Sequence, residues 1–452
     1  MARRKRILVL FPQEWDDLAL SQPELAERYE FVRAGFDLFK FPDNARLLTF
    51  DVRRFVDRLV AAARRRPIDG VLSTNEQFGA LIAAVVARRL GLPGADPEAI
   101  ITAQHKYYAR RALAQAAPDA TPAFTAFPYT VRHAEEIALP FPFFVKPVKA
   151  TFSVLARRVD NFAQLRRHLN FRPFEQHIIK RLVKPFNDLM RDYPQYTVNA
   201  HHLVGEGLVD GMQVNVDGYA EDGNIRLIGI VDEIMYPGTN AFNRFEYPTL
   251  LSPALRERIG DIAMRTVAGV GLRHGFFNVE LCADPRTGAI KVIEINPRLA
   301  SQFASLYQWV DGIDVYRMLI DLALGEPVCY APQRQRFGRA GSFIFRKFDG
   351  APVSRPPNGE QMCALRARHP EAQLMLYLKR GASLAREMKW LGSHRFAIVN
   401  LPGRDLVDLH ARCMDVHTIL GFDRETEPSP VLVHGGGFGP MAQPKPAMRE
   451  SG

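Results

Sequence analysis

Apolar and polar residues follow one another along the first hundred residues in a pattern that predicts alternating strands and helices. The short apolar runs Ile7–Phe11 and Gly70–Ser73 are typical of buried strands. The longer amphipathic segments Arg53–Arg66 and Glu76–Leu90 are typical of helices, and Gly91 ends the second of them. Because strands that alternate with helices form parallel sheets, this region is expected to be an α/β domain built on an open parallel sheet.

The pattern continues with a smaller α/β unit and then with a region rich in strands. A helix is predicted at Tyr107–Ala116, a strand at Phe141–Pro147 and a second helix at Pro253–Gly271. Beyond residue 331, short strands and the helix Leu406–Leu420 predict a small α+β domain. A stretch rich in Pro and Gly follows and predicts disorder. The predicted divisions are 1–105, 106–205, 206–330, 331–424 and a disordered tail at 425–452.

Two strand-like segments around a turn carry acidic residues in places that a core strand would not choose. The segments are Phe276–Leu281 and Val292–Arg298, and the turn is Asp284–Gly288. This spacing predicts a hairpin in which Glu280 faces Glu294, with Asn296 on the same face of the strand as Glu294. Opposed carboxylates are destabilising unless a cation lies between them, and Mg²⁺ (or Mn²⁺) prefers oxygen ligands. Glu280, Glu294 and Asn296 are therefore predicted to bind a metal ion.

The alternative interpretation is a surface hairpin whose carboxylates are simply solvated. The residues that flank the second acidic position, Val292, Ile293 and Ile295, are too apolar for a fully exposed hairpin. A buried hairpin with a bound metal is therefore the preferred prediction.

Lys146 is a candidate for an anion-binding residue because of where its strand ends. The apolar run Phe143–Val145 precedes it and Pro147 follows it. A buried strand that delivers a lysine at its end places the ammonium at the edge of a cleft. A solvated surface lysine is the alternative.

Composition narrows the class of protein. The chain has 452 residues, 47% of them hydrophobic, and this length favours two to four domains. Its four cysteines are scattered without zinc spacing, which favours a reducing compartment, and no run approaches a membrane span, so a cytoplasmic location is expected. The net charge of +10 permits anionic partners, but no nucleic-acid motif accompanies it. The predictions therefore include no nucleic acid and no membrane as partners.

The two hairpin segments, which read N-V-E-L and I-E-I-N-P-R, resemble the metal-binding strands of ATP-grasp enzymes. The resemblance covers most of residues 1–330 and continues more weakly to the end. It implies an ATP-grasp fold preceded by a Rossmann-like domain. It also implies an ADP-forming reaction, in which ATP and Mg²⁺ activate a small-molecule carboxylate as its acylphosphate and an amine then displaces phosphate. Related folds are often dimeric, so a homodimer is an open expectation.

The resemblance also implies roles for individual residues. Lys106 and Lys146 match lysines that contact ATP phosphates, and a solvated surface lysine is the alternative for Lys106 as well. Glu206 with Leu208 lies in a segment similar to the hinge that contacts the adenine, and an ordinary hairpin with an exposed Glu206 is the alternative. Gln213 stands where the family has an acid that contacts the ribose, and an amide can still hydrogen-bond a hydroxyl. Arg298 is expected to pair with the substrate carboxylate or to stabilise the oxyanion. A structural ion pair is the alternative for Arg298.

The loop after Lys146 departs from the family pattern. Residues 149–154 contain no glycine, so the hydroxyl of Ser153 is predicted to contact phosphate in place of backbone amides. Lys149 is expected either to add positive charge or to be solvated. Thr74, Asn75 and Glu76 follow a predicted strand. Thr74 or Asn75 is expected to cap the next helix, with Glu76 in its first turn. Ligand binding at this edge of the sheet is the alternative.

Two other functions remain open. A biotin carboxylase-like enzyme has the same predicted fold, but Gln302 stands where that family has a glutamate base, and an amide cannot serve as a base. A non-catalytic ATP-binding module is favoured by the glycine-free loop and by Gln213. The metal-binding set argues for an enzyme, because a binding module has less need of both glutamates.

Overall fold

The computed structural model describes residues 3–38, 40, 42–150 and 155–422. The predictions for Ser153 and for the tail at 425–452 lie outside these residues. In the described ranges, none of the helices is both long enough and apolar enough to cross a lipid bilayer.

The N-terminal region forms a three-stranded parallel sheet in the order β2-β1-β3, as the alternation of strands and helices predicts. The expected strands correspond to β1 and β3, and the expected helices to α3 and α4. The second helix begins at Gly79 rather than at Glu76, which matters for the site. The elements are β1 (Lys5–Leu10), α1 (Glu14–Leu20), α2 (Pro23–Ala26), β2 (Tyr29–Ala34), α3 (Val52–Arg65), β3 (Gly70–Leu72), α4 (Gly79–Leu90) and α5 (Pro97–Gln104).

A smaller lobe follows, built on an antiparallel sheet in the order β4-β7-β5-β6. The chain leaves this sheet at Glu206 and enters the next one at Met212, close to the predicted division at 205. The elements are α6 (Lys106–Ala116), β4 (Phe124–Pro128), β5 (Phe143–Pro147), β6 (Arg157–Val159), α7 (Phe162–His168), α8 (Pro173–Met190) and β7 (His202–Glu206).

The third and largest sheet has eight strands in the order β12-β11-β8-β9-β10-β13-β15-β14. The elements between 212 and 330 are β8 (Met212–Glu221), β9 (Asn224–Met235), β10 (Phe242–Tyr247), α9 (Pro253–Gly269), β11 (Gly275–Ala283), β12 (Ile290–Asn296), α10 (Ala304–Asp311) and α11 (Val315–Leu324). Those after 331 are β13 (Arg339–Lys347), α12 (Gly359–Arg368), β14 (Gln373–Leu376), α13 (Gly381–Leu391), β15 (His394–Gly403) and α14 (Leu406–Ile419).

The C-terminal strands extend the large sheet instead of forming a sheet of their own. β10 pairs with β13, with Arg244 opposite Phe343 and Tyr247 opposite Ala340. Backbone pairing therefore continues across the division predicted at 331. We keep that division as a proposal about the chain's organisation, with the sheet as a shared element.

The two faces of the large sheet differ in character along β11. Phe277, Val279 and Leu281 are fully buried and pack in one apolar cluster with residues of α9. The alternate residues Asn278 and Glu280 point to the opposite face, because successive side chains of a strand alternate. The strands therefore contribute to the core on one face and carry polar groups on the other.

Gly218 of β8 is a position where this packing leaves no room for a side chain. A Cβ atom there would lie 2.4 Å from the carbonyl oxygen of Arg226 and 2.4 Å from the ring of Phe277. We expect Gly218→Ala to lower the free energy of unfolding by about 1–3 kcal/mol, because the strand or the ring must shift. Urea denaturation would measure it.

Gly359 provides the control, since an added Cβ there meets nothing within 4 Å. Gly359→Ala should leave stability unchanged or raise it by up to about 1 kcal/mol. Equal midpoints for the two variants would contradict the packing argument.

Candidate functional site

The hairpin β11–β12 places its acidic residues as predicted. Glu280 lies directly opposite Glu294, and Asn278 lies opposite Asn296. The turn is closed by the amide of Gly288, which donates to the carbonyl of Asp284 at 2.7 Å. The register predicted from the sequence is therefore confirmed.

The amide of Asn296 links the two strands of the hairpin. It donates to Oε1 of Glu280 at 3.1 Å and to Oδ1 of Asn278 at 3.2 Å. Burial, reinforced by the charge of Glu294, raises the pKa of Glu280 to about 7. The negative charge of ionised Glu280 is therefore poorly compensated beside that of Glu294. A bound cation would compensate it.

Lys106, the first residue of α6, compensates the other carboxylate. Its ammonium group lies 3.0 Å from Oε2 of Glu294 and donates to the carbonyl of Ala150 at 3.0 Å. Burial acts to raise the pKa of Glu294, but Lys106 and Lys146 outweigh it and the pKa is lowered. Glu294 therefore carries its charge through an ion pair with one of the predicted phosphate-binding lysines.

A β-bulge at Ile293 brings a backbone acceptor into the same cleft. The register shifts between Glu280 and Leu281, so that Ile293 has no partner residue on β11. The carbonyl of Ile293 accepts hydrogen bonds from Arg110 at 2.7 Å and from Lys146 at 3.1 Å. The bulge thus fixes two cations beside the hairpin.

Glu206 pairs with those same two cations. Its carboxylate accepts from Nε of Arg110 at 2.7 Å and from Nη2 at 3.1 Å, and the Lys146 ammonium lies 3.0 Å away. Burial would raise the pKa of Glu206, but Arg110 and Lys146 lower it to about 2. Burial lowers the pKa of Lys146. Sequence reasoning missed Arg110, although it lies one helical turn after Lys106 and therefore on the same face of α6.

The N-terminal domain contributes Glu76, which corrects one prediction. Asn75 does cap α4, because its side chain accepts from the amides of Phe78 and Gly79. Glu76 is not part of this cap, since the helix starts three residues later. Its carboxylate instead lies 3.5 Å from Nζ of Lys149 and 3.5 Å from Nε of Arg298.

Of the two expected caps, Asn75 is therefore the one that caps the helix, and the hydroxyl of Thr74 donates to Asp16 instead. Lys149 is only 2% exposed, so the solvated alternative for it is wrong. Burial lowers the pKa of Lys149 to about 8. Arg298 was predicted to lie beside the hairpin β11–β12. It follows the end of β12 by two residues, and its Nε lies 3.5 Å from Oε2 of Glu76.

A continuous polar face extends from the hairpin across β8 to β9. Gln213 of β8 donates to Oε2 of Glu280 at 3.4 Å, and Asn215 lies directly opposite Glu280. Glu233 of β9 lies opposite Gln213. The face, here called the polar face, consists of Gln213, Asn215, Asp217, Glu233, Asn278, Glu280, Glu294 and Asn296. The alternation Q-V-N-V-D at 213–217 is a signal that could have found Asn215 and Asp217.

Burial raises the pKa of two further acids of the polar face, Asp217 and Glu233. Burial raises the pKa of Asp217 to about 6, against hydrogen bonds from Tyr307 and Asn278 that lower it. Burial, reinforced by Glu280, raises the pKa of Glu233. Leu208 lies between β7 and β8 and is partly exposed, next to the segment that leads onto this face.

The donor set fits a hard divalent cation. Glu280, Glu294 and Asn296 supply oxygen atoms on one face. Burial, and after it the charge of Glu294, raises the pKa of Glu280, and a bound cation would favour its ionised form. Across the described ranges, no three His, Cys, Asp or Glu side chains converge closely enough to hold a metal by themselves. The two glutamates therefore depend on the amide of Asn296 and on non-protein oxygens to complete a coordination sphere.

The cleft between α6 and β12 is closed. The cavity lined there by Lys106, Arg110, Glu206 and Glu294 has a volume of about 10 Å³. That is room for about one water molecule and not for a nucleotide. A larger cavity of about 460 Å³ lies along α8 and is lined by none of the predicted residues. A nucleotide could enter the cleft only if the ion pairs across it separate.

Comparison with known families finds a match over the region that holds Lys146, Glu206 and the hairpin β11–β12. Residues 139–305 match the model of the ATP-grasp domain. The chain is 28% identical over 109 residues to the carbamoyl phosphate synthase large chain of Mycobacterium tuberculosis, covering 21% of this chain and 10% of that protein. It is 35% identical over 69 residues to the same protein of Bifidobacterium adolescentis, covering 15% and 6%. The chain thus spans a tenth or less of these curated relatives.

Solved structures resemble almost the whole chain. L-amino acid ligase from Bacillus licheniformis has a TM-score of 0.65 at 17% identity, covering 92% of this chain and 98% of that one. N5-carboxyaminoimidazole synthase from Aspergillus clavatus has a TM-score of 0.63 at 13% identity, covering 92% and 99%. Biotin carboxylase from Campylobacter jejuni has a TM-score of 0.58 at 14% identity, covering 92% and 91%. At these identities the likeness shows the fold alone. The predicted fold is confirmed: the chain has the ATP-grasp fold, and residues 139–305 match the model of the ATP-grasp domain.

Proposed function

We propose that this protein is an ATP-dependent ligase that joins a carboxylate to an amine and forms ADP. The γ-phosphoryl group of ATP passes to a carboxylate oxygen, giving ADP and an acylphosphate. The amine then attacks the acyl carbon, phosphate leaves with the electrons of the broken C–O bond, and the amine loses a proton. The observation that carries this proposal is the convergence, in one cleft, of the opposed pair Glu280 and Glu294 with four largely buried cations, Lys106, Lys146, Lys149 and Arg298.

Phosphoryl transfer needs charge neutralisation and positioning more than it needs a protein nucleophile. Lys106 and Lys146 are now paired with Glu294 and Glu206, and we propose that they turn to phosphate oxygens when the cleft opens. Mg²⁺ or Mn²⁺, when bound, supplies charge neutralisation of the phosphates. Glu280, Glu294 and Asn296 would hold that metal.

The remaining predicted residues also have proposed roles. The hinge from Glu206 to Leu208 would receive the adenine, through backbone atoms at Glu206 because its carboxylate is taken by two cations. Gln213 would contact the ribose, and Ser153 a phosphate. Arg298 would orient the substrate carboxylate or stabilise the oxyanion, because it follows the hairpin directly and its Nε lies 3.5 Å from Oε2 of Glu76 in the same cleft.

The relatives support a ligase and leave the substrates open. The names of the similar proteins include a ligase that acts on amino acids and a synthase of carbamoyl phosphate. We extend from these to small-molecule carboxylate and amine substrates, and the scattered cysteines support a cytoplasmic enzyme. A biotin carboxylase-like reaction is disfavoured because Gln302 is an amide and donates to the hydroxyl of Ser342 at 2.8 Å.

Turnover provides the test of the ligase proposal. ADP and phosphate release would be measured with ATP, Mg²⁺ and a panel of amino acids and other carboxylates paired with amines, and products would be identified by mass spectrometry. We expect a matching pair to stimulate release, and Glu294→Gln to lower it by about 100- to 1,000-fold because charge neutralisation at the phosphates is lost.

Glu257→Gln is the matched control, because Glu257 is exposed on α9 of the same lobe. It should leave turnover unchanged. ATP binding without stimulation by any pair would refute the ligase proposal and favour a binding module.

The metal site also predicts a pH-dependent change in stability. The folded pKa of Glu280, about 7, lies above its ordinary value of 4.5, so the folded state loses stability as pH rises through this interval. Glu280→Gln removes that loss. In EDTA at about pH 8 we expect it to raise the free energy of unfolding by about 1–3 kcal/mol, and to have little effect near about pH 4.

Thermal and urea denaturation at the two pH values would measure this, with Glu257→Gln as the control. Mg²⁺ with ADP should stabilise the wild type and stabilise Glu280→Gln much less, because a ligand of the metal is missing. An equal loss of stability at both pH values would show that Glu280 is a structural residue.

A further inference from the structure

Arg346 and Arg395 form a pair of cations that the proposed mechanism does not use. The two residues lie directly opposite each other on β13 and β15. Opposite residues of an antiparallel pair share one face of the sheet, with Cβ atoms about 4.5–5.5 Å apart, and like charges in such a pair are destabilising. The C-terminal part of the large sheet therefore holds two positive charges against each other, as the hairpin β11–β12 holds two negative ones.

A β-bulge creates this opposition. The register between β13 and β15 shifts between Phe345 and Arg346, so that Phe396 has no partner residue on β13. Without the shift, the fully buried Phe396 would lie opposite Arg346, and Arg395 would point to the other face of the sheet. Bulges are common beside functional sites, where they redirect a side chain. This bulge turns Arg395 to the face that carries Arg346.

The guanidinium group of Arg346 has only neutral partners. Its Nε donates to the carbonyl of Phe242 at 3.1 Å, and its Nη1 donates to the hydroxyl of Ser393 at 3.0 Å. Among the described residues, Nη2 has no acceptor and no carboxylate lies within ion-pair distance. Burial, and after it the charge of Arg395, lowers the pKa of Arg346 to about 10. An anion beside the two guanidinium groups would offset their repulsion.

Arg395 has even fewer partners. It is half-buried, and in the part of the chain that the structure describes it makes no hydrogen bond and no ion pair. Its guanidinium carbon lies 4.1 Å from the ring centre of Tyr377. Stacking on a ring occupies the flat face of a guanidinium and leaves its N–H groups free for an acceptor in the same plane.

The acids around this pair have cations of their own. The charge of Glu387 acts on the first arginine, but Glu387 is in an ion pair with Lys379. The charge of Glu14 acts on Tyr377, but Glu14 is in an ion pair with Lys40 at 2.7 Å. This group therefore contains four cations and two acids. The excess positive charge belongs to the two arginines.

The arginine pair lies beside the N-terminal domain. Trp15 of α1 forms a hydrogen bond with Tyr377, on whose ring Arg395 is stacked. The helix α1 follows β1, and Glu76, which lies close to Arg298, follows β3, the parallel neighbour of β1. Ligands of such sheets bind at the carboxyl ends of the strands. The arginine pair and the proposed reaction site therefore border the same edge of the N-terminal sheet.

We propose that Arg346 and Arg395 bind a carboxylate that the reaction leaves intact, so that one substrate carries a carboxylate besides the group that reacts. This inference rests on the proposed function, because it names the class of one of its substrates. A carboxylate has two oxygens that can each accept more than one hydrogen bond, so it can pair with both guanidinium groups. Since the proposed reaction starts from acids and amines, a carboxylate is assigned here rather than a phosphate.

Compounds that differ in one carboxylate test this assignment. Isothermal titration calorimetry, with and without Mg²⁺ and ADP, would compare glutamate with glutamine, aspartate with asparagine, and glycine with glycinamide on the full-length protein. We expect the wild type to bind the carboxylate member of at least one pair about tenfold more tightly or better, and Arg395→Gln to reduce this preference to within about threefold. Arg366→Gln, at an exposed arginine of α12, is the control and should keep the preference.

Arg395→Glu tests the geometry without any ligand. A carboxylate at this position would lie opposite Arg346 and pair with it, because opposite charges across a strand pair are stabilising. The variant should therefore have a higher Tm than Arg395→Gln, and it should also lose the preference for carboxylates. Equal Tm values for the two variants would show that the side chains do not face each other, and would overturn the site.

The remaining outcomes separate this inference from the ligase proposal. A wild type that prefers no carboxylate member overturns the inference, and so does Arg395→Gln that folds and keeps the full preference. If phosphoserine binds more tightly than serine through Arg395 while no carboxylate pair shows a preference, the carboxylate assignment is wrong. If the preference depends on Arg395 but no acid and amine are ever joined, only the ligase proposal fails.

Discussion

The opposition of Glu280 and Glu294 across one hairpin is the constraint on which the charged part of this molecule depends. Backbone pairing fixes the two carboxylates on one face, so neither can move away from the other without breaking the sheet. Burial makes water a poor source of compensation. Lys106 neutralises Glu294, whereas Glu280 has amides around it and keeps a raised pKa. One more positive charge beside the hairpin would therefore stabilise it.

The cations of the cleft are already paired, and this shapes how a nucleotide can bind. Arg110 and Lys146 are both engaged with Glu206 and with the bulged carbonyl of Ile293. Buried charges left without partners are strongly destabilising, so in the closed cleft each cation needs its acid. A nucleotide that brings phosphates together with a dication can replace both halves of an ion pair at once. Phosphate alone, or metal alone, replaces only one half.

The features that could be predicted from the sequence are those that depend on residues close together along the chain. The register of Glu280 with Glu294 follows from a period of two residues and a strong turn, and the lysine at 146 follows from the apolar run before it. Glu76 could not be assigned in the same way, because its partners Lys149 and Arg298 come from distant parts of the chain. The pairing of the C-terminal strands with β10 was missed for the same reason, since long-range strand order leaves no signal in a local window.

The large sheet also explains why a costly polar site can persist beside a core. Along β8, Val214 and Val216 are fully buried on the apolar face, while Gln213 and Asn215 alternate with them on the polar face. Apolar burial on one side stabilises the same backbone that holds poorly compensated acids on the other. The site therefore needs no separate scaffold. A change that loosens the apolar packing of β8 or β11 would also displace the carboxylates, because each strand carries both sets of side chains on one rigid backbone.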